Sequence, residues 1–412
     1  MSAKQEHASG ELLAVDGGRP VREAPFAPWP FYARDEIDAA VRVLESGKVN
    51  YWTGDEARAF EREYAEHVGC AHAVALANGT IALELALEAL DIGAGDEVVV
   101  PSRTFIATAS CAVMRGATPV IAEVDPVSQN LTADTVRAVL SPRTKAVIAV
   151  HLAGWPCDMD PIMAVARGHD LKVIEDCAQA HGALYKGRPV GSIGDAGAFS
   201  FCQDKIITTG GEGGMLVTND KRMWSRAWSY KDHGKSYDTI YHQPAQKPGL
   251  FNWIHEGFGT NGRMTELQAA MGRVQLRKLA HSRRARQRNA AILAESFSRV
   301  PGLRVTTPPT DIGHAYYKYY VFVRSEALRT GWTRDRIVEA VNAEGVPCAV
   351  GSCSEIYLEK AFPQSMRPAA RLEVSRALGE TSLCFMVHPT LTERDVLDTA
   401  RAVEKVLRVA AR

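Results

Sequence analysis

The segment Ser200–Asp220, SFCQDKIITTGGEGGMLVTND, places a single lysine, Lys205, between two short apolar runs. The runs GAFSFCQ and GGMLVTND are typical of strands buried in a sheet. A surface lysine in a hairpin turn is the commoner arrangement. An amine held in a sheltered pocket has a more specific use, because it can condense with an aldehyde to form a Schiff base.

The chain before this segment alternates between strand-like and helical patterns. The strand-like HAVALA is followed by the helical TIALELALEAL, and DEVVVPS by FIATASCAVMRG. Similar pairs continue up to LKVIEDCAQAHGA. Such alternation predicts an α/β fold with a mostly parallel sheet covered on both faces.

Composition shifts divide the chain into three parts. Residues 1–30 are polar and then proline-rich, which predicts an N-terminal arm. Residues 31–290 are expected to form a large domain and residues 291–412 a smaller C-terminal α/β domain, with the proline-rich PGLRVTTPPT near the boundary. The smaller domain is expected to contain helices near 333–344, 366–378 and 392–410.

The balance of charges and cysteines limits the classes of function. Lys plus Arg and Asp plus Glu each total 48, so the zero net charge argues against a nucleic-acid binder and permits self-association. The 8 cysteines contain no CxxC pair, which indicates a reduced protein without a zinc site. Because no leader and no run of ~18 apolar residues is present, we expect a cytoplasmic protein that does not contact membranes.

Several chemically useful residues follow predicted strands, where ligands bind in open parallel sheets. Gly79 and Thr80 head a helix whose N-terminus suits a phosphate, although a plain helix cap explains them equally well. Phe105 could stack on a planar ring or belong to the core. Asp176 ends an apolar strand and needs a cationic partner, such as a pyridinium nitrogen.

Further polar groups surround these strand ends. Gln179 could donate a hydrogen bond to a phenolic oxygen, and Ser200 offers a hydroxyl near Lys205. His181 is better explained as a hydrogen-bonded loop histidine than as a ligand. Together with Asp176, these features specify pyridoxal 5'-phosphate, whose signature is a lysine Schiff base with an aspartate partner.

Blocks such as PSRTFIATA, VIEDCAQAHGA, GDAGAFSFCQDKIITTGGEGGMLVTND and GTNGRMTELQAAMGRVQL occur in a specific order and spacing. From about Gly17 to its C-terminus, the chain resembles the DegT/DnrJ/EryC1/StrS family of sugar aminotransferases. The resemblance implies the fold of pyridoxal-phosphate-dependent transferases of type I, similar to aspartate aminotransferase. It also implies a large domain with a mostly parallel mixed sheet and a smaller C-terminal domain.

The resemblance assigns four residues to the ring of the cofactor. Lys205 would carry the cofactor as a Schiff base and later move the α proton of the amino donor. Asp176 would pair with the pyridine nitrogen. Gln179 would meet the cofactor's O3', and Phe105 would stack on the ring.

The remaining assignments concern the phosphate. Gly79, Thr80 and Ser200 would bind it within one subunit. Asn261, in GTNGRMTE, matches an asparagine that reaches the phosphate from a neighbouring subunit. The resemblance therefore implies a homodimer with shared active sites.

The family also implies a reaction and its alternatives. An aminotransferase of this kind would move an amino group from L-glutamate, which leaves as 2-oxoglutarate, or from L-glutamine to a keto sugar nucleotide. The product would be an amino sugar for a surface polysaccharide or an antibiotic. WSYKDHGKS is most similar to perosamine-synthase-like members, which aminate C4 of a 4-keto-6-deoxyhexose.

The alternatives are a C3-keto sugar or cyclitol (inosose) aminotransferase, a dehydratase and a non-catalytic cofactor-binding regulator. Dehydratases of the family carry histidine where Lys205 stands, so the lysine favours transamination. The family's usual histidine before the C-terminal helices is not evident in GSCSEIYLEKAF.

Overall fold

The computed structural model describes residues 12–242 and 254–412. Its strands are β1 (His72–Leu76), β2 (Glu97–Pro101), β3 (Thr118–Ala122), β4 (Thr144–Val150), β5 (Lys172–Asp176), β6 (Leu184–Tyr185), β7 (Arg188–Pro189), β8 (Ala196–Ser200), β9 (Gly214–Thr218), β10 (Leu303–Val305), β11 (Ile312–Gly313), β12 (Tyr319–Val323), β13 (Cys348–Ala349) and β14 (Ser382–Phe385). Its helices are α1 (Arg34–Ser46), α2 (Glu56–Val68), α3 (Gly79–Ala89), α4 (Ala107–Met114), α5 (Ala133–Arg137), α6 (Met159–Gly168), α7 (Lys221–Lys231), α8 (Tyr237–Tyr241), α9 (Glu266–Phe297), α10 (Arg334–Ala343), α11 (Glu373–Thr381) and α12 (Glu393–Ala410).

The main sheet has seven strands in the order β1-β9-β8-β5-β4-β2-β3. Pairing is parallel from β8 through β5, β4 and β2 to β3. Strand β9 is antiparallel to both of its neighbours, so β1 and β8 point the same way. The prediction of a mostly parallel mixed sheet is confirmed, and the carboxyl ends of every strand in it except β9 share one edge.

The central strands β4 and β5 contain continuous apolar runs that are buried on both faces of the sheet. Val147, Ile148 and Ala149 of β4 are fully buried, as are Val173 and Ile174 of β5. Strands buried on both faces show continuous rather than alternating hydrophobic runs. A carboxylate at the end of such a strand therefore requires a specific partner.

The C-terminal part forms a second layer around the antiparallel sheet β10-β12-β14-β13. Leu293, Phe297, Val321 and Val403 belong to its hydrophobic core. The predicted division at residues 290 and 291 lies within α9, which packs against α1 and α2 and also against α12. The domain limits stay a prediction.

The second of the three predicted C-terminal helices lies further along the chain than expected. Residues 364–366 form only a short 3-10 turn, and α11 begins at Glu373 instead of near 366. Pro368 explains the difference, because the residue before a proline is biased away from helical angles. Arg367 indeed has an extended ψ of 148°.

The described part of the N-terminal arm packs on the C-terminal layer. Leu13 is buried in its hydrophobic core. The Glu344 carboxylate accepts hydrogen bonds from the backbone N–H groups of Ala14 and Val21, at 2.9 and 3.0 Å. Arg22 pairs with Asp395 at 2.7 Å. Residues 1–11 of the predicted arm lie outside the described residues.

The basic run on α9 is largely a solvated helix face. Arg277, Arg284 and Arg288 are exposed. Arg286 is the exception, because it is buried and donates to the backbone oxygens of Tyr316 and Tyr317. Within the part of the chain that the structure describes, none of the helices combines the length and apolar character that crossing a bilayer requires.

Candidate active site

A cavity of about 800 Å³ lies at the carboxyl edge of the main sheet and is closed on one side by the C-terminal layer. Seven of the eight residues predicted for the site line it: Gly79, Thr80, Phe105, Asp176, Gln179, Ser200 and Lys205. The eighth, Asn261, is exposed and forms an isolated β-bridge with Asp232 instead of lining this cavity.

Lys205 lies in the loop between β8 and β9, and its side chain is only 17% exposed. Its Nζ is 3.5 Å from Asp204 Oδ1 and 5.0 Å from the centre of the Tyr317 ring. The Tyr317 hydroxyl donates to the other Asp204 oxygen. The amine is thus sheltered but still faces the cavity, as a covalent anchor for an aldehyde requires.

Trp29 holds the backbone of this lysine from outside the sheet. Its indole N–H donates to the Lys205 carbonyl oxygen at 3.0 Å. Its ring stacks on His388, with centres 6.0 Å apart, and the Arg286 guanidinium lies 5.2 Å from its centre. Our sequence reasoning missed this contact; a tryptophan between two prolines, in PWP, is the only local signal for it.

Asp176 is buried at the end of β5 and points toward the cavity. Its carboxylate accepts hydrogen bonds from Thr108 Oγ1 at 2.9 Å and from the Ala178 N–H at 3.1 Å. Burial raises the pKa of Asp176, whereas these hydrogen bonds and the charge of Lys205 act in the opposite direction. A cation in the cavity would satisfy this carboxylate, so a protonated pyridine nitrogen fits.

Two threonines orient this carboxylate, and sequence reasoning missed both. Thr104 Oγ1 lies 2.9 Å from Thr108 Oγ1, which in turn donates to Asp176. The backbone N–H of Thr104 donates to the Cys353 carbonyl at 3.2 Å. The two threonines lie in RTFIAT, Thr104 in the turn that leads into α4 and Thr108 in its first turn, and this polar pair beside a strand end is a signal that could have found them.

The neighbouring carboxylate, Glu175, fixes β5 through hydrogen bonds to residues outside the strand. It accepts hydrogen bonds from the N–H groups of Gly191 and Gly194 and from His151 Nε2, which lies 3.0 Å away. Burial opposes ionisation, but these donors hold the pKa of Glu175 below its ordinary value. The possible metal-ligating atoms of His151, Glu175 and Cys177 lie within 4.8 Å of one another. Both Glu175 oxygens, however, already accept hydrogen bonds from backbone N–H groups.

Gln179 and His181 differ in role. Gln179 Oε1 accepts from the Ala153 N–H at 2.7 Å, which turns the amide N–H₂ outward as a donor for a phenolic oxygen. His181 is fully buried between Tyr64, at 2.7 Å, and the Ser200 carbonyl oxygen, at 2.8 Å. Burial lowers the pKa of His181 to about 3, so it is a neutral, hydrogen-bonded histidine as predicted.

Phe105 is not a core aromatic. It exposes 67% of its surface and lines the cavity just beyond β2. An apolar ring presented to a cavity in this way can stack on a flat ligand.

The N-terminus of α3 forms a cradle for an anion. Asn78, rather than Gly79 or Thr80, caps this helix by accepting from the Ile81 N–H at 3.0 Å. The first turn of α3 contains no acidic side chain. Since the Ser200 side chain lies against Gly79, its hydroxyl and the first N–H groups of the helix can face one phosphate.

We expect Gly79→Ala to weaken binding of pyridoxal 5'-phosphate by roughly tenfold or more, through steric strain at the cradle. An added Cβ would lie 2.6 Å from Ser200 Cβ, which is closer than two carbons can approach. Titration of the apoenzyme with the cofactor, followed by absorbance, measures the effect. Gly168→Ala is the matched control, since a Cβ there meets nothing within 4 Å. Equal cofactor affinities for both variants would contradict the cradle.

Comparison with known proteins gives matches over most of the chain. The model of the DegT/DnrJ/EryC1/StrS aminotransferase family matches residues 31–404. GDP-perosamine synthase from Caulobacter vibrioides is 40% identical, over 84% of this chain and 89% of that protein. L-glutamine:2-deoxy-scyllo-inosose aminotransferase from Streptoalloteichus tenebrarius is 37% identical, over 96% of this chain and 97% of that protein. The solved structure of an aminotransferase from Psychrobacter cryohalolentis has a TM-score of 0.91 and 53% identity, over 93% of this chain and 99% of that one.

Proposed function

Because the chain belongs to the DegT/DnrJ/EryC1/StrS aminotransferase family, whose members use pyridoxal 5'-phosphate, we propose that it aminates a keto sugar nucleotide. L-Glutamate or L-glutamine is the amino donor, and C4 of a 4-keto-6-deoxyhexose is the acceptor position. The observation that carries the proposal is the meeting of the Lys205 amine, the Asp176 carboxylate and the N-terminus of α3 in one cavity.

When bound, the cofactor supplies an aldehyde and an electron-accepting ring that carry the amino group from donor to acceptor. Lys205 anchors it covalently and, once released, moves a proton at the α carbon of the donor. Asp176 keeps the ring nitrogen protonated, and Gln179 donates to the ring's phenolic oxygen. Phe105 covers one face of the ring and excludes water from it.

The phosphate is held by Gly79, Thr80 and Ser200. Asn261 is exposed outside its own cavity, which supports the proposal that it serves the cavity of a second copy of the chain. A cavity of about 800 Å³ lies in the upper part of the range for small-molecule sites, so a substrate can bind beside the cofactor.

The choice of acceptor rests on similarity. The relative from Caulobacter vibrioides is named for GDP-perosamine, which supports a sugar nucleotide aminated at C4. The relative from Streptoalloteichus tenebrarius is named for an inosose, so a cyclitol is the second candidate, beside a C3-keto sugar. Lys205 disfavours the dehydratase alternative, because dehydratases of the family carry histidine at this position.

A substrate panel tests the proposal. The holoenzyme is incubated with 4-keto sugar nucleotides, with 3-keto sugar nucleotides and with an inosose, each in the presence of glutamate or glutamine. The masses of the products are measured by mass spectrometry. We expect the 4-keto-6-deoxyhexose nucleotide to exchange its keto oxygen for an amino group. Amination of the inosose or the 3-keto sugar alone would overturn the assigned acceptor, and loss of water without gain of nitrogen would overturn transamination.

A further inference from the structure

A second lysine, Lys318, lines the cavity opposite the ends of the main strands. It immediately precedes β12 in the C-terminal layer. Its Nζ lies 5.0 Å from the centre of the Tyr317 ring, the same distance as Lys205 Nζ. The two amines are therefore separated by no more than twice that distance. Among the described residues that line the cavity, these two are the only lysines, and no arginine lines it.

The two lysines differ in their partners. Lys205 has a carboxylate, Asp204, at 3.5 Å. Lys318 Nζ has its hydrogen bond to Met386 Sδ, at 3.1 Å, and thioether sulfur is a weak acceptor. Over residues 12–242 and 254–412, Lys318 makes no ion pair with a carboxylate within 4.0 Å. Among the described residues, its ammonium group therefore has no anionic partner at ion-pair distance.

The environment makes this lack of a partner costly. Burial lowers the pKa of Lys318, while the charges of Cys384 and Asp204 act in the opposite direction and those of Arg286 and Lys205 add to the effect. Lys318 is half-buried, and even partial removal of a cation from water without a paired anion is unfavourable. A ligand that brings an anion would relieve this cost. The nearby part of the cavity wall includes Val350, Cys384 and Met386, none of which is a cation.

We propose that Lys318 binds an oxyanion of the substrate, either a carboxylate of the amino donor or a phosphate of the sugar nucleotide. This inference rests on the proposed function, and it adds the residue that recognises the charged part of the substrate. Lys318 is thus a binding residue on the C-terminal layer, while Lys205 and Asp176 act on the cofactor. The two layers together would hold the substrate over the ring.

Binding of unreactive probes tests the inference in the holoenzyme. Glutarate mimics the carboxylates of the donor but has no amine, and GDP and UDP mimic the phosphates of the acceptor. Their dissociation constants are measured by calorimetry for the parent enzyme, Lys318→Met and Lys318→Arg. The control is Lys145→Met, because Lys145 is exposed near the start of β4, at the opposite edge of the sheet.

We expect Lys318→Met to weaken one class of probe by roughly 10- to 100-fold, the range for losing a hydrogen bond to a charged group. Lys318→Arg should restore much of that affinity, and Lys145→Met should change neither. Weaker binding of glutarate would show that Lys318 binds the donor carboxylate. Weaker binding of GDP or UDP would show that it binds a phosphate of the acceptor. In steady-state kinetics, the KM for the same substrate should rise more than kcat falls.

Two results would overturn the inference. In the first, Lys318→Met binds all probes as the parent enzyme does. In the second, both Lys318 variants lose affinity equally, which would indicate packing rather than charge. Because the probes do not react, these outcomes stay readable even if the substrate panel shows that the proposed acceptor is wrong.

Discussion

Lys205→Ala is expected to abolish transamination, with a loss of turnover of roughly 10⁴-fold or more, as for removal of a covalent catalytic residue. The purified variant should also lack the yellow absorption of lysine-bound cofactor. The reason is that, in the proposed function, one amine performs two tasks, covalent attachment of the cofactor and proton transfer at the α carbon. The Lys205 side chain is 17% exposed and lies beside Asp204. Among the described residues, no other amine occupies this position.

The control for this variant is Lys145→Ala, which removes an exposed lysine far from the cavity. It should retain colour and turnover. Circular dichroism and thermal melting should show that both variants are folded. Full turnover in the Lys205 variant would contradict its assigned role.

Asp176→Asn is expected to lower kcat by about 10²–10³-fold, as for loss of one preorganised electrostatic partner. The amide keeps the shape of the carboxylate. Its single oxygen can still accept from the Ala178 N–H, and its NH₂ group would then face the Thr108 hydroxyl, which can accept as well as donate. It cannot stabilise a positive charge on the ring nitrogen, so the ring becomes a weaker electron acceptor. Activity at the parent level in a variant with full cofactor occupancy would contradict this pairing.

Although Asp176→Asn should lower kcat, it should not lower the thermal stability of the apoenzyme. Folding raises the pKa of Asp176, chiefly through burial, so the ionised carboxylate disfavours the folded apoenzyme at pH values above both its folded and unfolded pKa. Asp176→Asn removes this cost, so the melting temperature of the apoenzyme at pH 7 should stay equal or rise.

Asp204→Asn is the matched comparison. Burial opposes its ionisation, but Lys205 and Tyr317 hold the pKa of Asp204 below its ordinary value. This carboxylate therefore favours folding above its unfolded pKa, and the amide should lower the melting temperature at pH 7. A larger fall in melting temperature for Asp176→Asn than for Asp204→Asn would contradict the directions of these two pKa shifts.

Much of the site could be predicted because strand topology brings distant residues together. Gly79 and Phe105 follow β1 and β2, and Asp176 ends β5. These three strands run in the same direction within the main sheet, so their carboxyl ends lie on one edge. The apolar runs that end at these residues are local signals, so the fold and the cluster follow from the same pattern.

The contributions of the C-terminal layer and the arm could not be predicted in this way. Lys318 lies in YYKYYVF, where it looks like an exposed position of an alternating strand, and only packing against the main sheet brings it to the cavity. Trp29 reaches Lys205 across 176 positions of sequence. Such contacts depend on how two layers dock, and no local periodicity encodes them.

The central claim is that Lys205, rather than Lys318, bonds to the cofactor. The direct measurement is to treat the holoenzyme with borohydride, which fixes the bond between the cofactor aldehyde and its lysine, and to map the modified peptide by mass spectrometry. We predict modification of the peptide that contains Lys205, with Lys318 unmodified. Modification at Lys318, or no covalently bound cofactor in a fully loaded enzyme, would contradict the account.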